Sequence, residues 1–473
     1  MTETPDVLVV GGGPAGMSAA LAAVEHGATV VLLESSDDLG GQYWRHLPPE
    51  RPAAHEDRLH HGLGTFRRTA AALRAHPRCE VVTEAQVWTV DGRPDGPPRV
   101  HVLVGPVDGA DRVRRTFDPA RLVLATGAHE RTLPFPGWDL PGVYSGGAAQ
   151  TLAKGERIAV GRRVLVAGAG PFLLPVAASL LRTGSHVVEV VEASSWPRLL
   201  TRWAARPWEL ASAAGKAGEL VEYVRELARH RIPYRAGTTV VAAHGQDRVE
   251  AVTVAAVDAD WRSVPGTERT VEVDALCVSH GFVGRTELAT SAGCRLDAAG
   301  RVVVDDDQRT SVPGVLAAGE LTGIGGVDLS LVEGRIAGAV AAGVEPSPAD
   351  RRRRTAGRRF ADRLEAAHGI GTGWTDWLRE DTLVCRCEEV TAGEMRRCAQ
   401  VTGAQGLKSL KLTSRAGLGI CQGRICGRSV EEFFAAATGN PALREVPHFP
   451  KRPIAVPVRL GDIATRPTAD TPE

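Results

Sequence analysis

The sequence lacks four features that would place the protein in a specialised class. It has no charge excess, because 56 lysines and arginines balance 56 aspartates and glutamates, so neither nucleic acid nor an anionic membrane is expected as a main partner. Its longest apolar stretch, 164–181, contains two glycines and two prolines and is not expected to span a membrane. Eight cysteines in 473 residues do not form a secreted disulfide framework. No signal peptide is recognisable, because residues 1–6 lead directly into an apolar strand, and we expect a cytoplasmic protein.

What the sequence contains is typical of a globular protein with several domains. A length of 473 residues corresponds to about three domains. The content of 43% hydrophobic and 24% charged residues is ordinary for such a protein. Glycine is abundant, with 53 residues, which is consistent with repeated nucleotide-binding turns.

The first 34 residues are predicted to form a strand, a glycine-rich turn, a helix of small residues and a second strand ending on an acid. The turn has the pattern G-x-G-x-x-G, made by Gly11, Gly13, Pro14, Ala15 and Gly16. The first glycine permits the tight turn, the second lets the backbone approach a pyrophosphate, and the third lets helix and strand pack closely. Glu34 lies where a carboxylate can accept hydrogen bonds from ribose hydroxyls. The stretch predicts an adenine dinucleotide site; the alternative is a turn that serves packing alone.

A pair of glycines follows in the loop 39–45. Gly41 stands next to Gln42, and this combination is predicted to pass close to the bound cofactor because it comes shortly after the dinucleotide pattern. The alternative is an ordinary surface turn.

The opening unit is repeated, imperfectly, at 163–192. Gly168 and Gly170 match the first two glycines, and Glu192 ends the second strand. Leu173 stands where the third glycine should be, and a side chain there is expected to push the helix away from the strand. The sequence therefore leaves three alternatives for this unit: it binds NAD(P), it binds another adenine nucleotide, or it binds none.

Four of the eight cysteines are grouped near the C-terminus. Cys385 and Cys387 form a C-x-C pair, and Cys421 and Cys426 form a C-x4-C pair. Four thiolates suit either zinc or an iron–sulfur cluster, although the one-residue gap is shorter than the usual zinc knuckle. Glycines around the second pair can direct N–H groups at bridging sulfides. An iron–sulfur cluster is the favoured interpretation, with zinc and reduced structural cysteines as alternatives.

Up to residue 345 the chain resembles flavoproteins with two dinucleotide-binding domains, such as the thioredoxin-reductase-like and pyridine-nucleotide disulfide reductases. The resemblance rests on the opening glycines, Glu34, the turn at Thr126 and Gly127, and the segment at Gly319 and Glu320. It implies bound FAD, with Val87 near the adenine and Glu320 on the ribityl chain, where the family usually has Asp. The chain has no C-x-x-C in the second dinucleotide unit, which argues against disulfide reduction.

The C-terminal cysteines resemble the bacterioferritin-associated-ferredoxin-like [2Fe–2S] domain. Nearly the whole chain resembles one narrower group: the FAD- and [2Fe–2S]-containing large subunits of heteromeric amine and amino-acid dehydrogenases, as in octopine/nopaline dehydrogenase, hydrogen cyanide synthase and hydroxyproline dehydrogenase. The segments that carry this resemblance are 385–391, 413–426, 168–171 and 451–458. It implies a smaller flavin-bearing partner that oxidises the amine or amino acid. This chain would relay the electrons to an acceptor that the resemblance does not identify, and no catalytic side chain is evident in it.

These observations predict an α/β protein with two Rossmann-like dinucleotide-binding domains, the second inserted into the first, and a small C-terminal [2Fe–2S] domain. The expected boundaries are 1–130 with 282–345 for FAD, 131–281 for the degenerate unit, 346–378 for a linker with a basic solvated or subunit-facing helix, 379–440 for the cysteine module, and 441–473 for a subunit-contacting tail. Two other functions remain open: a self-contained NAD(P)H-dependent reductase that feeds the cluster, and a non-catalytic assembly or iron-sensing subunit.

Overall fold

Two parallel sheets of five strands form the frame of the protein in a computed structural model. The structure describes residues 2–48, 50, 51, 56, 59–93, 96–109, 111–205, 214–404, 406–440 and 454–464. The predicted tail therefore lies largely outside the described residues.

The bounds of the regular elements are as follows. The strands are β1 Thr2–Glu3, β2 Val7–Val10, β3 Val30–Leu33, β4 Cys79–Val82, β5 Ala85–Asp91, β6 Arg99–Val104, β7 Val113–Phe117, β8 Arg121–Leu124, β9 Ala128–Glu130, β10 Val143–Ser145, β11 Arg163–Gly168, β12 His186–Glu192, β13 Tyr234–Ala236, β14 Thr238–His244, β15 Ala251–Ala256, β16 Arg269–Glu272, β17 Ala275–Ser279, β18 Phe282–Gly284, β19 Val315–Ala317, β20 Leu383–Cys385 and β21 Val390–Thr391. The α-helices are α1 Pro14–Glu25, α2 Leu63–Ala75, α3 Gly146–Thr151, α4 Leu173–Arg182, α5 Trp196–Ala204, α6 Ala214–Arg229, α7 Glu287–Ser291, α8 Val327–Ala341, α9 Pro348–His368, α10 Ala392–Thr402, α11 Leu407–Ser414, α12 Gly427–Thr438 and α13 Leu460–Ala464. A π-helical turn spans Leu152–Glu156, and short 3-10 helices span Glu320–Thr322 and Thr372–Trp377.

The two five-stranded sheets repeat one design. The first has the order β19-β8-β2-β3-β4 and the second β10-β17-β11-β12-β13, and every neighbouring pair in both is parallel. The central strands β2, β3 and, after its first residue, β11 are continuous apolar runs, as expected where helices or further sheets cover both faces. The chain passes from the first sheet to the second through β9 and returns through β18, and these two short strands pair antiparallel. The fold is the mixed α/β, Rossmann-like fold that the sequence predicts.

Helices α1 and α8 cross at unusually close range on one face of the first sheet. A Cβ on Gly334 would lie 2.2 Å from the Ala15 carbonyl oxygen, and one on Gly338 would lie 2.1 Å from that of Ala19. The Ser18 hydroxyl donates to the Leu331 carbonyl oxygen at 2.7 Å across the same contact. Glycine at these two positions therefore brings the late helix α8 against the helix that follows the first glycine turn.

Helix α9 departs from the solvated or subunit-facing surface that its run of arginines predicts. Arg354 and Arg363 are buried, at 8% and 7% exposed. Arg354 donates to Gln308 and Asp306, both at 2.8 Å, and Arg363 donates to the Trp203 carbonyl oxygen at 3.0 Å. The prediction is wrong for these two guanidinium groups because they find acceptors in both dinucleotide units, so this side of α9 connects the units.

The cysteine-bearing module packs on the segment that joins the two sheets. Trp138 Nε1 donates to the Leu383 carbonyl oxygen at 2.7 Å, and Trp377 Nε1 donates to the Trp261 carbonyl oxygen at 2.9 Å. The half-buried Arg131 forms an ion pair with Glu432. One apolar core contains residues of both the second sheet region and the module.

Within the described ranges, no helix is both long enough and apolar enough to cross a membrane.

Candidate functional site

The first glycine turn has the geometry of a dinucleotide site. Gly11 has a φ of +107°, and a Cβ there would lie 2.3 Å from the Ala125 carbonyl oxygen. A Cβ on Gly16 would lie 1.7 Å from the Gly11 oxygen, so this glycine is required for the turn to close. At Gly13 the nearest neighbour is 3.9 Å away, which leaves room for a ligand at the position where the backbone must approach a pyrophosphate.

Helix α1 starts at this turn, so its N-terminus points at the same space. Pro14 is its first residue, a position that proline favours because no N–H is needed there. Ala15, at 6% exposed, lies beneath the crossing with α8. The free N–H groups at a helix N-terminus favour a phosphate.

Glu34 follows β3 beside the turn and is almost completely buried. Its carboxylate accepts from the Gly12 N–H at 2.6 Å and from the Ser36 N–H at 2.8 Å. These bonds, together with one from the Ser35 hydroxyl at 3.2 Å, fix the carboxylate, and Oε2, which accepts from Gly12, keeps a lone pair for a ribose hydroxyl. Glu34 thus lies directly after β3 and against the first glycine turn.

The loop with the second glycine pair lies against the first turn. A Cβ on Gly41 would lie 2.9 Å from the Gly13 Cα, and Gln42 beside it is exposed. Val87, at 6% exposed, lies on β5, whose first residue, Ala85, donates its N–H to the Glu34 carbonyl oxygen at 2.8 Å. These residues thus come together around the first turn.

The two later predicted segments reach the same region. The Thr126 hydroxyl donates to the Arg285 carbonyl oxygen at 2.6 Å, and the Gly127 oxygen accepts from the Arg285 N–H at 2.9 Å. Gly319 has a φ of +85°, and a Cβ there would lie 2.8 Å from that of Ala15. Glu320 follows as the first residue of a 3-10 helix.

Sequence reasoning missed the buried acid that holds this last segment in place. Glu333, completely buried, accepts from the Gly319 N–H at 2.9 Å and pairs with Arg358 at 2.5 Å. Burial raises the pKa of the Glu333 carboxyl, and Arg358 opposes that shift. No local pattern marks Glu333, since its partners are 14 and 25 residues away.

The imperfect repeat accommodates Leu173 by starting its helix later. Helix α1 begins one residue after Gly13, whereas α4 begins three residues after Gly170, at Leu173 itself. The Leu173 side chain is fully buried in the core between α4 and the second sheet. Gly168 keeps the role of Gly11, because a Cβ there would lie 1.7 Å from the Ser279 oxygen, while Gly170 faces open space.

Glu192 is enclosed by groups that have no counterpart at Glu34. It accepts from the Gly170 N–H at 2.8 Å, and its further neighbours are the Tyr234 hydroxyl and His368 Nδ1, both at 3.4 Å. Trp203 Nε1 donates to His368 Nε2 at 3.3 Å and fixes that ring. The carboxylate is completely buried, and His368, the last residue of α9, lies against it.

The four grouped cysteines converge on one place. Their sulfur atoms pair across the two sequence motifs: Cys385 with Cys426 at 3.6 Å, and Cys387 with Cys421 at 3.8 Å. Cys426 also hydrogen-bonds Cys421, and Cys387 hydrogen-bonds Cys385, so each cysteine contacts partners from both motifs. All four are free thiols.

Backbone N–H groups and neighbouring thiols set the charge state of this group. Hydrogen bonding from Cys426 and from backbone N–H groups lowers the pKa of Cys421 to about 4 and that of Cys385 to about 6. The Gly417 N–H points at the Cys385 sulfur at 3.3 Å. Burial and the neighbouring sulfurs raise the pKa of Cys387 to about 11. The site therefore favours sulfur in its anionic form at part of its positions.

A cavity of about 390 Å³ opens beside the sulfurs of Cys387, Cys421 and Cys426. Its other walls include Trp138, Tyr144 and His280, so it lies between the module and the second sheet.

The fold and the first site define the class. The family pattern for pyridine nucleotide-disulphide oxidoreductases matches residues 5–345, so the chain belongs to that family, and it is an FAD-dependent oxidoreductase. Thioredoxin reductase of T. acidophilum has the same fold, with a TM-score of 0.50 and 21% identity over 72% of this chain and 98% of that one.

More particular relatives match along almost the whole chain. The hydrogen cyanide synthase subunit HcnB of Pseudomonas aeruginosa is 32% identical, over 94% of this chain and 96% of that protein. An opine oxidase subunit of Rhizobium meliloti is 30% identical, over 99% and 88%. L-proline dehydrogenase from P. horikoshii shares the fold over 98% of this chain and 81% of that one, with a TM-score of 0.66 and 21% identity. The predicted resemblance to subunits of heteromeric dehydrogenases is confirmed.

Proposed function

We propose that this chain is the FAD- and [2Fe–2S]-containing subunit of a heteromeric dehydrogenase that oxidises the C–N bond of an amine, imino acid or amino acid, and that it relays the electrons. The observation that carries the proposal is the convergence of Cys385, Cys387, Cys421 and Cys426 in a flavoprotein chain. Two near-full-length relatives, HcnB and the opine oxidase protein, are named as subunits of enzymes.

The four thiols fit a two-iron cluster. Two thiolates that share one tetrahedral metal, with metal–sulfur bonds of about 2.3 Å, stand roughly 3.8 Å apart. The two observed cross-pairs have this spacing. Across the described residues, no group of three or more His, Cys, Asp and Glu side chains is arranged to hold a metal ion. When bound, such a cluster supplies one-electron transfer.

The residues around the first turn fit FAD. The backbone at Gly13 and the start of α1 would bind the pyrophosphate, and Glu34 would bind the adenosine ribose. Glu320 would bind the ribityl chain, and the N-terminus of α8 would face the flavin pyrimidine, where negative charge accumulates on reduction. When bound, FAD supplies both one- and two-electron chemistry.

The second unit is the weaker candidate for a nucleotide site. In it the acid that would bind a ribose, Glu192, is enclosed by Tyr234 and His368. We infer that this unit does not deliver hydride from NAD(P)H and that it carries the cysteine module. Another adenine nucleotide could bind this unit only without displacing Glu192 from its contacts with Tyr234 and His368.

The proposed organisation follows from these assignments. Segments 1–130 and 282–345 form the FAD domain, 131–281 the second unit, 346–378 the connection, 379–440 the [2Fe–2S] domain and 441–473 a tail that contacts the partner. Of the described part of the tail, Ala455 donates its N–H to the Trp88 oxygen and accepts from Arg424. Free thiols agree with the cytoplasm as the compartment.

Anaerobic co-purification with the product of the neighbouring gene tests the function. Visible and electron paramagnetic resonance spectra are recorded before and after candidate substrates, including proline and opines. We expect substrate to reduce flavin and cluster in the complex and to leave the isolated chain oxidised.

Stopped-flow mixing of the isolated chain with NADH and NADPH is the matching control. Fast flavin reduction would establish the self-contained reductase instead. Strong bleaching of the isolated chain by an amino acid would contradict the relay role directly.

A further inference from the structure

The cavity beside the cysteines extends well beyond their sulfur atoms. Its volume of about 390 Å³ lies within the range of about 300–1,000 Å³ that is usual for small-molecule sites. Cys387, Cys421 and Cys426 are a minority of its lining residues. The others belong to the second sheet, to the segment 131–138 and to the rest of the cysteine module. The proposed cluster therefore leaves most of this space to a further ligand.

The cavity lies at the edge of the second sheet where ligands bind in open α/β folds. Ser145 is the last residue of β10 and His280 directly follows β17, and both line the cavity. Ligands of such sheets bind outside the carboxyl ends of the strands. Arg386, Cys387 and Ile425 line the cavity as well and are exposed, so it opens to solvent at the cysteine module. A small molecule can thus reach the sulfur atoms from solution.

The walls favour a flat ligand with apolar surface. Leu133, Val143 and Val278 line the cavity and belong to the apolar core around it. The Trp138 indole is held in place, since its Nε1 donates to the Leu383 carbonyl oxygen at 2.7 Å. An indole in a fixed orientation offers a surface on which a conjugated ring can stack.

The charges beside the cavity are already compensated. Arg131 pairs with Glu432, which also accepts from Arg428 at 2.9 Å. Arg428 has Glu431 as a further partner at 3.9 Å. Two guanidinium groups thus face two carboxylates, and the charge of the exposed Arg386 is screened by solvent. The cavity therefore suits an uncharged ligand rather than an anion.

Two N–H groups in the walls are available to such a ligand. The Arg131 Nε is buried and has no hydrogen-bond partner among the described residues. The His280 side chain is 3% exposed, and its ring forms no hydrogen bond with another described residue. Burial lowers the pKa of His280 to about 3, so the imidazole is neutral and carries one N–H. Buried N–H groups are costly when they lack an acceptor, so both call for acceptor atoms on the ligand.

We propose that this cavity binds a small quinone, which accepts the electrons of the proposed relay. A quinone is flat and uncharged, and its two carbonyl oxygens match the two N–H donors of Arg131 and His280. Its reduction takes two electrons and two protons and converts both carbonyl oxygens into hydroxyls. The electrons come singly from the proposed cluster, and the protons come from solvent. The redox step rests on the proposed function, whereas binding of the quinone does not.

Calorimetry with duroquinone tests binding to the full chain, oxidised and with its cofactors. Methyl groups occupy every ring carbon of duroquinone other than the carbonyl carbons, which suppresses addition of a cysteine thiol. We expect duroquinone to bind. Cyclohexane-1,4-dione, which has the two carbonyl oxygens without a conjugated ring, should not bind. Equal binding of the two compounds, or no binding of duroquinone, would overturn the site.

Variants in the cavity walls locate the ligand. Val278→Phe should weaken duroquinone binding roughly tenfold or more, because the added ring takes up the space of the ligand. His280→Leu should weaken it several-fold through the loss of one donor, and His280→Asn, which keeps an N–H, should bind more tightly than His280→Leu. The control His26→Leu, at an exposed residue outside the cavity, should bind as the wild type does.

His280→Leu keeps the test valid if Val278→Phe does not fold. Wild-type binding in His280→Leu would place duroquinone elsewhere and would overturn the proposal, and so would weakened binding in His26→Leu.

Anaerobic mixing of the reduced full chain with duroquinone tests the redox step. We expect duroquinone to reoxidise the cluster, and to do so more slowly in His280→Leu than in the wild type. Binding without reoxidation would overturn the redox step. If substrate reduces the complex but duroquinone does not bind, the cavity assignment fails and the relay function stands. If duroquinone binds but substrate does not reduce the complex, the relay function fails and the binding site stands.

Discussion

The crossing of α1 and α8 should not tolerate a single added methyl group. In Gly334→Ala, the new Cβ would stand 2.2 Å from the Ala15 carbonyl oxygen and 2.9 Å from the Ser18 Cβ. Because real Cβ contacts are not shorter than 3.0 Å, α8 must move away from α1 by at least 0.8 Å. Both sides of the contact include backbone, so no side-chain rotation can relieve it.

Two opposing effects set the change in the free energy of unfolding that Gly334→Ala causes. Overpacking a close interface costs about 3 kcal/mol at the upper end of its usual range, which suits a clash with backbone. Alanine in place of glycine inside a helix returns about 1 kcal/mol. The net loss of about 2 kcal/mol corresponds to a fall in Tm of roughly 4–8 °C for the affected domain. Because Ala15 belongs to the first glycine turn, the variant should also purify with less FAD.

Thermal unfolding and the ratio of flavin to protein absorbance measure both effects. Gly218→Ala is the matched control, because Gly218 also lies inside a helix, α6, and a Cβ there meets nothing within 4 Å. This control should be as stable as the wild type or slightly more stable. A Gly334→Ala protein with wild-type Tm and full FAD would refute the reasoning about the helix crossing.

Two further predictions concern the cysteine module and its cavity. Cys421→Ser should lower the iron content and abolish the paramagnetic signal of the reduced cluster. The control Cys398→Ser, on α10 outside the cysteine group, should keep both. Equal iron content in the two variants would exclude Cys421 as a ligand. Burial lowers the pKa of His280 to about 3. Between about pH 6.5 and 3, only the unfolded state therefore binds a proton at this imidazole. The free energy of unfolding should fall as the pH falls through this range, by about 1.4 kcal/mol per pH unit. His280→Asn should remove that one-proton contribution from the pH dependence of urea unfolding, and the control His26→Asn should keep it. If the free energy of unfolding has the same slope against pH in the wild type and in His280→Asn, the assignment to His280 is contradicted.

The repeat of the opening unit shows how a local substitution can be absorbed. The sequence predicts that Leu173 pushes its helix away from the strand. The structure meets the same steric demand by starting α4 later, so that Leu173 points into an apolar core. A bound phosphate would lose the helix N-terminus in either case, because the helix no longer begins directly after the glycine turn.

The sequence does not predict that Glu34 and Glu192 have different surroundings. Glu34 and Glu192 occupy equivalent strand ends, and each accepts a hydrogen bond from a glycine N–H of its own turn, Gly12 at 2.6 Å and Gly170 at 2.8 Å. What separates them is His368, which arrives from a helix 176 residues further along, together with Tyr234. Such partners leave no local pattern, because they are neighbours in space alone.

The sequence by itself determined the features that depend on short spacings. Glycine at 11 and 16, the acid at 34 and the cysteine pairs each follow from what a turn, a strand end or a thiolate ligand requires over a few residues.

The tertiary structure decided which of these features meet and which remain open to a ligand. It brought the cysteines of the two motifs into contact with one another and placed His368 of α9 beside Glu192. These outcomes depend on contacts between segments far apart in the chain, and their energies come from packing and desolvation, which no local pattern records.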